Sequence, residues 1–170
     1  MQILHPRLKK HMKSHQVDGF NFLQKNLIAE EHGGCILAHA PGTGKTFLMI
    51  SFIQSFLTKY PKERPLIVAP KIILGSWMKE FKKWGVEEIP IYNLYEKKSI
   101  LLVSYSQFSS IVCEKSENQM TQSCQQILLE GPGLLVLDEG HFPRNKDTNI
   151  LHALSQIHTR RRVLLSGTLI

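Results

Sequence analysis

At 170 residues the chain has room for one domain with a substantial core. Hydrophobic residues make up 42% and charged residues 21%, as in soluble globular proteins, and no apolar run approaches the roughly 18 or more residues that suggest a membrane-spanning helix. The net charge of +7 favours a polyanionic partner.

The first residues carry no uninterrupted apolar segment of the secretory kind. Three cysteines, Cys35, Cys113 and Cys124, form no C-x-x-C pair, and an odd count argues against a disulfide framework. A reducing compartment, cytosol or nucleus, is therefore expected.

Residues 1–16 hold Arg7, Lys9, Lys10 and Lys13 and no acidic residue, which reads as a solvated helix face or a phosphate-contacting patch. Residues 13–23 predict a helix with Val17, Phe20 and Leu23 on its apolar side. Gln16, at its start, has the donor and acceptor functions needed to read the edge of an adenine.

The stretch Ala38-His39-Ala40-Pro41-Gly42-Thr43-Gly44-Lys45-Thr46 lies between a short apolar run, residues 35–38, and a long helix-compatible one, residues 47–57. A glycine-rich turn between strand and helix is what a phosphate-binding loop requires. Gly42 and Gly44 let the backbone fold back so that several N–H groups face one phosphate cluster. The opening helix adds its positive end. Lys45 then reaches the β- and γ-phosphates, and Thr46 places its hydroxyl on magnesium. The strict pattern G-x-x-x-x-G-K-[ST] is missed by one residue, because His39 stands where its first glycine belongs. An ordinary glycine-rich turn carrying a lysine is the competing reading. The flanking strand and helix favour a nucleoside triphosphate.

Residues 47–60 are apolar all round and predict a buried helix. The run 66–69 is a strand covered on both faces. Ile73, Trp77, Phe81 and Trp84 recur at helical spacing, and core packing is the role expected of that stripe. Residues 89–94 and 100–104 read as strands, and 105–113 as a helix. The polar stretch 114–126 reads as mobile or as a surface insertion. Residues 134–137 form an apolar strand ending in Asp138 and Glu139, which delivers two adjacent carboxylates to the carboxyl edge of a parallel sheet, where ligands bind. Asp138 can hold magnesium through a water as the acidic partner of Thr46. Glu139 can polarise the attacking water. A strand leaving the core through a polar turn would look the same, but the upstream phosphate loop favours function. Residues 149–158 predict a helix, and 162–165 a strand ending in Ser166-Gly167-Thr168. That segment is either a γ-phosphate relay or a plain turn. Arg160, Arg161 and Arg162 read as a solvated run. The alternation of strands and helices gives an α/β fold, a mostly parallel sheet with helices on both faces.

Six blocks occur in order: H-Q-V-D-G-F-N-F-L, A-P-G-T-G-K-T, P-L-I-V-A-P-K-I-I-L-G-S-W-M-K-E-F-K-K-W, L-L-V-S-Y, L-D-E-G-H and L-L-S-G-T. Together they resemble the first lobe of Swi/Snf-type chromatin-remodelling ATPases, helicase-like motors of superfamily two. The resemblance covers nearly the whole chain. It implies a three-layer RecA-like P-loop NTPase lobe, with residues 1–33 supplying basic and adenine-motif helices and 34–170 the core. It implies ATP and Mg2+ as cofactors and double-stranded DNA or chromatin as partner. Gln16 is then the adenine reader, the loop Pro41, Gly42, Thr43, Gly44, Lys45 and Thr46 the ATP-binding set, Asp138 a magnesium residue and Glu139 the catalytic base. His141, Ser166, Gly167 and Thr168 couple hydrolysis to movement. Lys71, Ser104 and Tyr105 lie along the nucleic-acid backbone.

Most of the family reads A-D-E-M-G-L-G-K-T at the loop and D-E-A-H at the acidic strand. Here A-H-A-P-G-T-G-K-T and D-E-G-H-F-P-R-N are similar to the plant CLASSY-type branch. That branch implies a nuclear role in small-RNA-directed DNA methylation, beside a specialised RNA polymerase. Family motors need a second RecA-like lobe that supplies arginine fingers, and the sequence stops just past Ser-Gly-Thr. The resulting expectation is half a motor, an ATP hydrolase that binds ATP and turns it over poorly. A non-catalytic nucleotide-binding or scaffold fragment is the alternative. A P-loop enzyme of another class, such as a small-molecule kinase, lacks support, since no substrate lid with its own arginines follows the loop.

Overall fold

The structure, a computed structural model, describes residues 4–28, 33–84, 100–139 and 148–167. In chain order the elements are α1 (Pro6–Lys9), α2 (Ser14–Leu27), β1 (Gly34–Ala38), α3 (Lys45–Lys59), β2 (Arg64–Ala69), a 3-10 turn (Lys71–Ile73), α4 (Leu74–Trp84), β3 (Leu101–Ser104), α5 (Tyr105–Cys113), α6 (Gln119–Leu129), β4 (Pro132–Asp138), α7 (Thr148–Ser155) and β5 (Arg162–Ser166). The five strands form one sheet in the order β1-β5-β4-β2-β3, and every pairing is parallel.

Alternation along β2 divides the core in two. Ile67 and Ala69 join Phe20, Leu23 and Leu27 of α2, the apolar surround of α3, and Trp77 and Phe81 of α4. Leu66 and Val68 point the other way, into Tyr105 and Phe108 of α5, Leu128 of α6, and Ile150, Ala153 and Leu154 of α7. Side chains two apart in a strand share a face, so a continuous apolar run can cover both faces only if helices lie on both. The result is a three-layer α/β sandwich. The helix α3 is apolar on all sides because the sheet lies beneath it and α2 and α4 flank it; ten of its fifteen residues are buried.

Two local expectations need correction. The polar stretch after Cys113 is not simply an insertion, because residues 119–129 form α6. Asn118 caps it by accepting the Met120 amide at 2.9 Å, and the Gln125 amide donates to the Ile111 and Glu114 carbonyls at 2.9 and 2.8 Å. Only Leu128 of this helix is buried, so its other faces stay polar and leave a weak apolar signature. Nor is the arginine run simply solvated. Arg161 Nε donates to the Leu27 carbonyl at 3.0 Å while its guanidinium stands 4.7 Å from the Tyr60 ring centre. Arg162 donates to the carbonyls of Thr159, Leu154 and Ile157. These two side chains fasten the amino end of β5 to α2, α3 and α7. The strand expected at 89–94, together with His141 and Thr168, lies outside the described residues.

Candidate functional site

The strand order gathers the chemistry. In register, Ala38 of β1 pairs with Ser166 of β5, and Leu165 pairs with Asp138 of β4. The phosphate loop, Ser166-Gly167 and Asp138-Glu139 therefore leave the sheet side by side at its carboxyl edge, with β5 inserted between the loop and the acidic pair. Open parallel sheets bind ligands at this edge.

The loop has the expected glycine geometry. Gly42 and Gly44 adopt φ of 79° and 82°, a region side chains rarely enter. A Cβ at Gly44 would also run into the Gln16 amide, which would have to give way. Lys45 opens α3 and folds back on its own loop, its Nζ donating to the His39 carbonyl at 2.8 Å and the Ala40 carbonyl at 3.4 Å. Gly167 sits against the loop, where a Cβ would lie 3.3 Å from Pro41 Cγ and 3.9 Å from Lys45 Nζ.

The buried Gln16 joins α2 to the loop. Its Oε1 accepts the Lys13 amide at 2.9 Å and its Nε2 donates to the Thr43 carbonyl at 3.0 Å. Each amide atom retains one further hydrogen-bonding function, since a carboxamide has two N–H groups and two acceptor lone pairs. His15 Nε2 lies 3.1 Å from the same Thr43 carbonyl, and the His15 and His39 rings meet edge-on at 6.3 Å.

Asp138 is buried at the end of β4 and fixed at three atoms. Oδ2 accepts the Trp77 indole N–H at 2.8 Å, and Oδ1 accepts the Glu139 amide at 2.9 Å. The Tyr105 hydroxyl donates to its backbone carbonyl at 3.0 Å. Burial raises its carboxyl pKa above the ordinary value, with the Trp77 and Glu139 hydrogen bonds and the Lys45 charge opposing and the Glu139 charge reinforcing. The phenol of Tyr105 is raised as well, by burial and then by the two carboxylates. Glu139 has φ of 49°, the left-handed region, unusual for a side chain of this length and costing about 1–3 kcal/mol. The Asp138 carboxylate supports that turn by holding its N–H.

Among the described residues no group of three or more His, Cys, Asp or Glu side chains is arranged to hold a metal. One hydroxyl (Thr46) and one carboxylate (Asp138) fit a hard cation that takes most of its oxygens from water and phosphate, as magnesium does.

The helical spacing of the aromatic stripe in α4 predicts core packing alone. Trp77 does pack, yet it also donates to Asp138, and only its lone N–H hinted at that. Ser104 caps α5 through the Gln107 amide at 3.2 Å, and Ser104 and Tyr105 are each 1% exposed, so both side chains belong to the fold. Lys71 is exposed on the turn after β2, at the same sheet edge.

Comparison with known proteins agrees with this arrangement. The SNF2-related domain family matches residues 15–170. The chain is 34% identical over 226 residues to the SNF2 domain-containing protein CLASSY 3 of Arabidopsis thaliana, covering 96% of this chain and 16% of that protein. It is 33% identical over 176 residues to the DNA repair and recombination protein RAD54B of Mus musculus, covering 98% of this chain and 20% of that one. The chain thus spans a minor part of the length of these relatives. Among solved structures, the Sulfolobus solfataricus SWI2/SNF2 ATPase core in complex with dsDNA shares the fold, with a TM-score of 0.73 at 21% identity over 99% of this chain and 35% of that one. With its loop, acidic strand and intervening β5 in the arrangement of a RecA-like core, the chain belongs to the SNF2-related domain family.

Proposed function

We propose that this chain is the ATP-binding lobe of a DNA-dependent ATPase of the chromatin-remodelling kind, acting in the nucleus in RNA-directed DNA methylation. The observation that carries the reading is the convergence of Lys45, Gly167 and Asp138-Glu139 at one sheet edge. Lys45 exchanges its own loop's carbonyls for the β- and γ-phosphates. Thr46 and Asp138 hold magnesium, which when bound neutralises phosphate charge. Glu139 takes the proton of the attacking water, and the spare functions of the Gln16 amide meet the adenine. Ser166, Gly167 and Thr168, together with His141, relay the nucleotide's state.

Partners follow from charge and kinship. The chain carries +7, Lys71 stands exposed beside the site, and a protein of the same fold is described in complex with dsDNA. The silencing role, beside a small-RNA-pathway RNA polymerase, rests on similarity to the CLASSY proteins.

Hydrolysis requires more than this lobe. Among the described arginines, Arg64 and Arg162 begin β2 and β5 and Arg160 and Arg161 precede β5, which puts these four at the sheet edge opposite the phosphate loop. The arginines that stabilise the transition state come in this reading from a second lobe, and such arginines are worth about 10³ to 10⁵ in rate. The test is ATP turnover by the purified chain, with and without double-stranded DNA, beside a Lys45→Ala variant. Magnesium-dependent ATP binding with negligible turnover is expected. DNA-stimulated turnover by the monomer would overturn the need for a second lobe, and turnover unaffected by Lys45→Ala would overturn the site.

A further inference from the structure

We propose that Trp77 is a positioning residue for the magnesium carboxylate, its indole N–H setting the orientation of Asp138 rather than merely filling the core. The inference rests on the functional reading above and deepens it by naming what holds the cation's protein ligand in place.

Trp77 is 1% exposed and its ring lies 5.8 Å from that of Phe81, so neighbouring packing defines where the indole sits. Packing alone would be served as well by phenylalanine. A buried indole needs an acceptor, and here the acceptor is a carboxylate, which makes the bond charge-assisted and directional. Asp138 would otherwise turn about its side-chain bonds. With Oδ2 on Trp77 and Oδ1 on the Glu139 amide, the plane of the carboxylate is set from both ends. The Tyr105 hydroxyl fixes the main chain below it. A carboxylate offers about four lone-pair sites, so these two bonds leave each oxygen able to accept from a metal-bound water. Outer partners of this kind matter because they hold a ligand in its productive orientation before the cation arrives.

The bond also explains a connection that the chain order conceals. Trp77 lies on the helix that follows the exposed Lys71 turn, and Asp138 lies 61 residues further along the chain.

The test is calorimetric titration of ATP at a series of magnesium concentrations, with the unsubstituted chain, Trp77→Phe and Phe81→Leu. For Trp77→Phe the magnesium concentration giving half of the affinity gain should rise roughly tenfold, with ATP affinity in chelator unchanged. Phe81→Leu, which loosens the same packing but keeps the indole, should lower the melting temperature and leave the magnesium midpoint in place. An unchanged midpoint in Trp77→Phe, or an equal loss of affinity with and without magnesium, overturns the proposal. If Trp77→Phe does not fold, the unsubstituted chain answers by NMR, with the two indole N–H resonances assigned through Trp84→Phe. Adding magnesium to the ATP-bound chain should move the Trp77 indole resonance and not that of Trp84; no movement overturns the proposal. Magnesium-independent binding by the unsubstituted chain would overturn the functional reading, and this inference with it.

Discussion

Gln16 Nε2 donates to the carbonyl of Thr43 at 3.0 Å, tying the second helix to the phosphate loop across 27 residues of sequence. The same amide accepts the Lys13 N–H, so one buried side chain both starts α2 and braces the loop. Replacing Gln16 with Ala removes both bonds, which together contribute about 2 kcal/mol. The melting temperature of the nucleotide-free chain should fall by roughly 5 °C, measured by scanning calorimetry. An unchanged melting temperature would mean that the amide serves only the nucleotide.

The two loop glycines should differ in sensitivity. Both have positive φ, but a Cβ at Gly42 meets nothing within 4 Å, whereas at Gly44 it runs into Gln16 Nε2. Gly42→Ala should cost about 1–2 kcal/mol of backbone strain alone. Gly44→Ala adds the clash and should be clearly the less stable in urea titration, with weaker ATP binding. Adding Gln16→Ala to Gly44→Ala should cost less than Gln16→Ala costs alone, because the Cβ has already displaced that amide.

Arg161 should matter to stability and not to nucleotide. Its bond to the Leu27 carbonyl and its place over Tyr60 are structural. Arg161→Met keeps the aliphatic stem and loses the charge, so the urea midpoint should fall by the equivalent of about 2 kcal/mol. ATP affinity should stay within twofold of the unsubstituted chain.

The histidine in the loop gives a pH signature. Burial, then the charges of His15 and Lys45, hold the His39 imidazole below its ordinary value of 6.5. The unfolded chain therefore accepts this proton before the folded chain does. The associated stability is present above about pH 6.5 and is lost as pH falls through the lower folded value. Melting temperatures between pH 7.5 and 5 should thus drop more steeply for the unsubstituted chain than for His39→Asn. Equal slopes would refute the assignment.

Much of this architecture is visible in local pattern. The runs 66–69 and 134–137 are continuous and apolar because helices cover β2 and β4 on both faces, and such runs identify themselves. The glycine-lysine-threonine turn and the Asp138-Glu139 strand end are equally local. What escaped is long-range or weakly patterned. The insertion of β5 between β1 and β4 is a spatial order that chain order does not state. Trp77 and Asp138, or Arg161 and Leu27, meet across 61 and 134 residues, and nothing beside either residue marks its partner. α6 escaped because it buries a single leucine and draws its anchorage from an amide side chain.

The central claim is a phosphate site built on Lys45 at the sheet's carboxyl edge. Calorimetric titration of ATP into the chain and into Lys45→Ala, each with magnesium, tests it most directly. Saturable one-to-one binding is expected, abolished by Lys45→Ala while the variant's melting temperature without nucleotide stays close to that of the unsubstituted chain. Absence of binding, or binding that Lys45→Ala leaves intact, would contradict it.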